Sequence, residues 1–152
     1  MGVSGSLKRA LERSVAAEAH AAPAAAQAKA GRAKHLLLGD SGEELAARYL
    51  AGLGFRILCR NVRAGRCEID IIARDGDELV FAEVRTRSAN PVAAPEDSVG
   101  PRKLERLIRG ASLWTEEHNY NGCWRIDLVA VTVEGNKAPK IEHFRSITEP
   151  MA

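Results

Sequence analysis

The stretch at residues 67–87, CEIDIIARDGDELVFAEVRTR, decides how this chain is read. Two alternating runs flank Asp75-Gly76, and period-2 alternation on either side of an Asp-Gly pair is the strongest short-range signal for an antiparallel hairpin. With Asp75 and Gly76 as the central turn residues, Arg74 faces Asp77, Ile72 faces Leu79, Asp70 faces Phe81 and Glu68 faces Glu83. One face then carries Glu68, Asp70, Glu83 and Arg85 beside Ile72, Leu79 and Phe81. The other is wholly apolar: Ile69, Ile71, Ala73, Val80, Ala82 and Val84. In this register Asp70 is the diagonal neighbour of Glu83, roughly 7–8 Å away at Cβ, so both carboxylates reach one bound cation.

Carboxylates so placed repel, and a face that also holds Ile72, Leu79 and Phe81 is poorly solvated. Arg85 neutralises part of the charge, and a divalent metal with oxygen ligands would neutralise the rest. The competing reading is an amphipathic hairpin with a salt-bridged solvent face, since antiparallel sheets often wet one side. The metal reading requires a further ligand from elsewhere in the chain.

That ligand is sought in the helix predicted just before the first strand. Ser41 and Glu44 have the spacing of a capping box, and Ala46, Tyr49, Leu50 and Leu53 form an apolar stripe that ends at Gly52 and Gly54. Glu44 is expected on the solvent side above Arg48, while Glu43 heads the stripe that packs on the sheet. Residues 55–62 read as a first strand, joined to the hairpin through residues 63–66. After a loop at residues 88–95 comes a second helix with Pro101 near its start and a buried stripe of Leu104, Leu107, Ile108, Ala111 and Trp114. Arg102, Lys103, Arg106 and Arg109 flank that stripe, either as a solvated face or as a grip on phosphate. Residues 124–133, WRIDLVAVTV, form a β-branched strand, and residues 140–147 a final one after a Gly135-Asn136 turn.

A chain of 152 residues, 45% apolar and 28% charged, fits one globular domain with a single core. The net charge of +2 excludes a constitutive DNA coater, so any nucleic-acid contact must come from a local patch. Residues 1–38 are Ala-rich and hold six basic side chains against Glu12 and Glu18; they read as an arm, disordered or loosely helical, before a domain at residues 39–152. Cys59, Cys67 and Cys123 form no CxxC and have no nearby histidine at ligand spacing, which argues against zinc and for a reducing, cytoplasmic setting. None of the four histidines is assigned a role. No apolar run approaches the roughly 18 residues a membrane span requires.

The ordered motifs GEELAARYL (42–50), CEIDIIARDGDELVFAEVRTR (67–87), Lys103 and RIDLVAV (125–131) resemble the YraN-like family of uncharacterised bacterial proteins, from Gly39 to about Ile147. That family is similar to the PD-(D/E)xK nucleases, in particular archaeal Holliday-junction resolvases. The resemblance implies a restriction-endonuclease-like three-layer α/β fold, a mixed central β-sheet flanked by helices with an α-β-β-β-α-β core. It also implies an acidic metal site in which Asp70 is the metal-binding aspartate, Glu83 the acidic residue of the (D/E)xK element and Glu43 the first-helix glutamate. Two residues after Glu83 the motif has lysine, whereas this chain has Arg85. Lysine there is thought to orient or deprotonate the attacking water and stabilise phosphate charge; a guanidinium stays protonated and serves only the second purpose. The motif's glycine before the glutamate is Cys67, for which a buried thiol is the plain reading.

The implied activity is metal-dependent hydrolysis of phosphodiester bonds in DNA, branched or single-stranded. Glu43, Asp70 and Glu83 hold Mg²⁺ or Mn²⁺, Arg85 stabilises developing charge, and Arg87, Arg102, Lys103 and Arg106 bind the nucleic acid. Resolvase-like relatives suggest a homodimer. The alternative is a non-catalytic nucleic-acid-binding or adaptor protein that keeps the nuclease fold, for which Arg85 is the supporting feature.

Overall fold

The computed structural model describes residues 40–89 and 99–148. Seven elements follow in chain order: α1 (Asp40–Gly52), β1 (Arg56–Ala64), β2 (Cys67–Asp75), β3 (Glu78–Ser88), α2 (Pro101–Glu117), β4 (Trp124–Val133) and β5 (Lys140–Phe144). The strands make one sheet in the order β1-β2-β3-β4-β5. Only β3 and β4 run parallel, and the other neighbours are antiparallel. A parallel pair needs a long crossover, and α2 supplies it. The Ala-rich segment at residues 1–38 and most of the loop expected at residues 88–95 lie outside the described residues.

Both sheet faces are buried, which makes three layers. On one face α1 contributes Ala46, Ala47 and Leu50 to a core with Ile71, Ala73, Val80, Ala82, Val129 and Val131. On the other, Leu107, Ala111 and Trp114 of α2 pack on Leu58, Ile72, Leu79, Phe81 and Ile126. The apolar hairpin face is thus the α1 face, except that Ile69 belongs to the α2-side cluster. Phe81 meets Trp114 and Trp124 edge-on, with centroids 5.7 and 5.6 Å away. Two expected core residues lie outside: Leu53 follows the end of α1 and is 53% exposed, and Ile108 is 38% exposed on the flank of α2.

The hairpin register differs from the one read from the sequence. Asp75 pairs with Glu78, Arg74 with Leu79, Ile72 with Phe81 and Ile71 with Ala82. The turn is therefore Gly76-Asp77, with Gly76 at φ 60° in the first central position, where glycine suits a type II′ hairpin turn. Asp75 stays in the strand because Arg125 and Arg145 both donate to its Oδ2, at 2.9 and 3.0 Å. Those partners come from β4 and from just beyond β5, so the turn is set by tertiary contacts.

The capping-box reading of α1 also needs correction. Both Glu44 oxygens are engaged away from the helix start, Oε1 by Arg48 at 3.0 Å and Oε2 by Arg60 at 2.7 Å. Arg60 holds the carboxyl below its ordinary range, outweighing the opposing effect of burial. Glu44 therefore ties α1 to β1, and it lies beside Arg48 as expected. The first turn of α1 packs tightly on β3, since a Cβ on Gly42 would stand 1.9 Å from the Thr86 hydroxyl oxygen.

Candidate active site

Pairing between β2 and β3 stops at Ile71 and Ala82. One more step would set Asp70 directly across from Glu83. Instead the Val84 N–H donates to Asp70 Oδ2 at 2.8 Å, so a carboxylate takes the place of the next ladder acceptor. Lys103 of α2 reaches this end of the hairpin, with Nζ 3.2 Å from Glu83 Oε1. Arg85 Nε lies 3.3 Å from the same oxygen without hydrogen-bond alignment. Glu83 Oε2 is buried and accepts no hydrogen bond.

The electrostatics follow from this burial. Glu83 is only 4% exposed, so desolvation pushes its carboxyl up, the neighbouring Asp70 charge pushes it further, and Lys103 and Arg85 pull it back. Desolvation also raises Asp70, against the Val84 N–H and Lys103. Cys67 completes the surroundings: burial raises its thiol, with Lys103, Glu83, Asp70 and Arg106 all close enough to act on it. It is a buried neutral thiol, as its plain reading had it.

Four of the residues singled out in the sequence therefore meet: Asp70, Glu83, Arg85 and Lys103. Lys103 sits on the carboxylate rather than on the outer flank of α2. Glu43 is half-buried in the first turn of α1. Among the described residues no three His, Cys, Asp or Glu side chains gather closely enough to form a ready-made metal cage. Arg87 points toward the other edge of the sheet, to Thr132 Oγ1 at 3.3 Å and Glu142 at 3.9 Å. Arg102 and Arg106 are exposed on α2.

The donor set fits a hard cation. Mg²⁺ retains several waters and is commonly held by one or two carboxylates together with substrate phosphates, so it needs no closed protein cage. Asp70 and Glu83 supply two such groups, and Glu83 Oε2 is a buried oxygen whose lone pairs no donor satisfies.

A second carboxylate cluster escaped the sequence reading. Arg125 donates from Nε to Asp127 Oδ1 at 2.9 Å and from Nη2 to Oδ2 at 3.2 Å, and also pairs with Asp75 and Glu78. His143 Nε2 lies 2.8 Å from Asp127 Oδ2, and the Ser146 N–H donates to Oδ1 at 3.0 Å. Phe55 covers the cluster, with Arg125 over its ring and His143 against its edge. Burial pushes Asp127 up, but the bonds from His143, Arg125 and Ser146 outweigh it and hold the carboxyl below its ordinary range. The available signal was a charge inside the β-branched run RIDLVAV, although its partners arrive from distant strands.

The fold is a small three-layer α/β domain of restriction-endonuclease-like architecture, and Asp70, Glu83 and Lys103 meet where its hairpin splits beneath α2. The chain belongs to the uncharacterised protein family UPF0102, whose model matches residues 42–131, in agreement with the YraN-like resemblance. A UPF0102 protein of an Arthrobacter species is 50% identical over 117 residues, covering 76% of this chain and 98% of that one. One from Streptomyces griseus is 48% identical over 113 residues, covering 73% and 95%. One from Oleidesulfovibrio alaskensis is 46% identical over 114 residues, covering 72% of this chain and 54% of that longer protein. Among the described residues no helix is long and apolar enough to cross a membrane.

Proposed function

We propose that this chain is a nucleic-acid-binding protein with a Mg²⁺- or Mn²⁺-dependent phosphodiester-hydrolysing centre that acts on DNA. The observation that supports it most is the Asp70–Glu83 pair: two desolvated carboxyls, each raised above its ordinary range, with Glu83 Oε2 buried and unsatisfied. Such pairs are concentrated at functional sites. Asp70 and Glu83 would hold the cation. When bound, it supplies Lewis-acid polarisation of the scissile phosphate.

The chain's own groups divide the remaining work. Arg85 offers fixed positive charge to the developing phosphate negative charge, and its guanidinium gives up no proton. Lys103 brings an ammonium to the same carboxylate from α2, a second positive charge beside the phosphate position. The Val84 N–H fixes the Asp70 carboxylate in place.

A second reading is a binding or adaptor protein without turnover. It is favoured by the charge balance, since Lys103 and Arg85 already set two positive charges against the two carboxylates. Cleavage of a labelled four-way junction and of flap DNA in Mn²⁺ separates the two readings. The nuclease reading expects cutting by wild type and none by Asp70→Asn/Glu83→Gln. Binding without cutting by either wild type or Arg85→Lys would leave the adaptor reading, and cutting by Arg85→Lys alone would mark a disabled enzyme.

A further inference from the structure

A groove of about 420 Å³ runs between the β1–β2 turn and α2. Arg66 stands on the turn side, Arg106 and Arg109 on the helix side, Ala64 and Leu113 give apolar surface, and Cys67 and Gly110 complete the lining. The Cys67 thiol is also the group that Glu83, Asp70, Lys103 and Arg106 act on. Cys67 and Arg106 thus belong to the groove and also lie near the dicarboxylate–lysine centre. Arg109 has one partner there, Glu105 at 3.3 Å, in a pair more than 70% exposed on both sides. An exposed pair of that kind contributes little and yields readily to a stronger anion.

We infer that this groove is the track for one strand of nucleic acid, held by its phosphodiester backbone and delivered to Asp70 and Glu83. The inference rests on the reading of that centre given above. Guanidinium groups on both walls match a run of phosphates passing between them, because the planar fork binds phosphate oxygens in pairs. The volume lies toward the lower end of the roughly 300–1,000 Å³ of small-ligand sites, a scale that suits a nucleotide unit or two and not both backbones of a duplex. Among the described residues no aromatic side chain lines the groove, so its grip is on the backbone and independent of sequence.

The test uses the full chain in EDTA, with fluorescence anisotropy of a labelled single-stranded oligothymidylate titrated over a range of salt. Wild type is compared with Arg66→Ala/Arg109→Ala and with Arg48→Ala/Arg56→Ala, which removes the same charge from exposed positions on α1 and β1. All substituted side chains are exposed, and thermal melting checks that each variant folds. The groove variant should bind on the order of tenfold more weakly, and its log K against log salt slope should be shallower by about 1.4, at about 0.7 per lost single-strand phosphate contact. The α1/β1 variant should match wild type, and unlabelled duplex should compete poorly. Equal weakening in both variants, no change in the groove variant, equal competition by duplex, or no salt-dependent binding by wild type would each overturn the groove. If oligonucleotide binding follows the groove while no protein cuts DNA in Mn²⁺, the nuclease reading falls and the groove stands. If wild type cuts but the groove variant binds and cuts unchanged, the reverse holds.

Discussion

The sheet carries two buried carboxylate clusters that the same physics treats in opposite ways. At Asp127 the carboxylate is 0% exposed, yet Arg125, His143 and Ser146 satisfy both oxygens and hold its pKa down. At Asp70 and Glu83 the acids are desolvated, repel one another and leave an oxygen unsatisfied, so their pKa values rise. Burial therefore does not mark a site by itself. What distinguishes Asp70 and Glu83 is a buried oxygen left without a hydrogen bond, the condition expected where a ligand completes the site.

The comparison can be broken first at its satisfied end. Asp127→Ala leaves Arg125 buried without its bidentate partner, and losing one member of a buried ion pair typically costs ~3–5 kcal/mol. Chemical denaturation should show a loss of that size; a change within about 0.5 kcal/mol, as for an ordinary surface substitution, would contradict the structural role.

Next in size is the response to metal. Mn²⁺ at 100 times its Kd should stabilise wild type by about 2.7 kcal/mol. Asp70→Asn/Glu83→Gln should keep or slightly raise the metal-free melting temperature and lose the Mn²⁺ response. A variant that melts far below wild type would show that the pair serves the fold.

His143→Ala removes one of the groups bound to Asp127 while the Arg125 bonds remain, so it should cost ~1–3 kcal/mol, less than Asp127→Ala. Equal losses for the two variants would mean that His143 carries the network.

The smallest effect is in pH dependence, where the clusters have opposite signs. Asp127, with its pKa lowered by folding, contributes stability that is present above its unfolded pKa and is lost as pH falls through its folded one. Asp70 and Glu83, raised by folding, bind more protons in the folded state, so stability declines as pH rises from the ordinary carboxylate range through their raised values. Melting curves across pH should therefore lose their high-pH decline in Asp70→Asn/Glu83→Gln. The acid-side loss that belongs to Asp127 should remain in that variant. An unchanged high-pH limb would contradict the raised pKa values.

The sequence showed these features unevenly. Alternation around Asp75-Gly76 made the hairpin plain, because a strand's period is a local property. The register was not local: Asp75 is drawn into β2 by Arg125 and Arg145, 50 and 70 residues away in the chain. Asp70 and Glu83 were legible as a pair despite the wrong register, since both lie on the polar side of an alternating run. Lys103 read as one of several flank cations, because only the packing of α2 over the hairpin brings its Nζ to Glu83. The Arg125–Asp127–His143 network was hidden for the same reason, as its members meet across β4, β5 and the β2–β3 turn.

The most direct measurement is anomalous diffraction from crystals of the wild-type protein soaked in Mn²⁺. The account predicts a peak within coordination distance of Asp70 and Glu83 Oε2, with Lys103 moved off Glu83, and no such peak in Asp70→Asn/Glu83→Gln. A soak that leaves Lys103 on Glu83 and shows no ion there, or places the ion at Asp127, would contradict it.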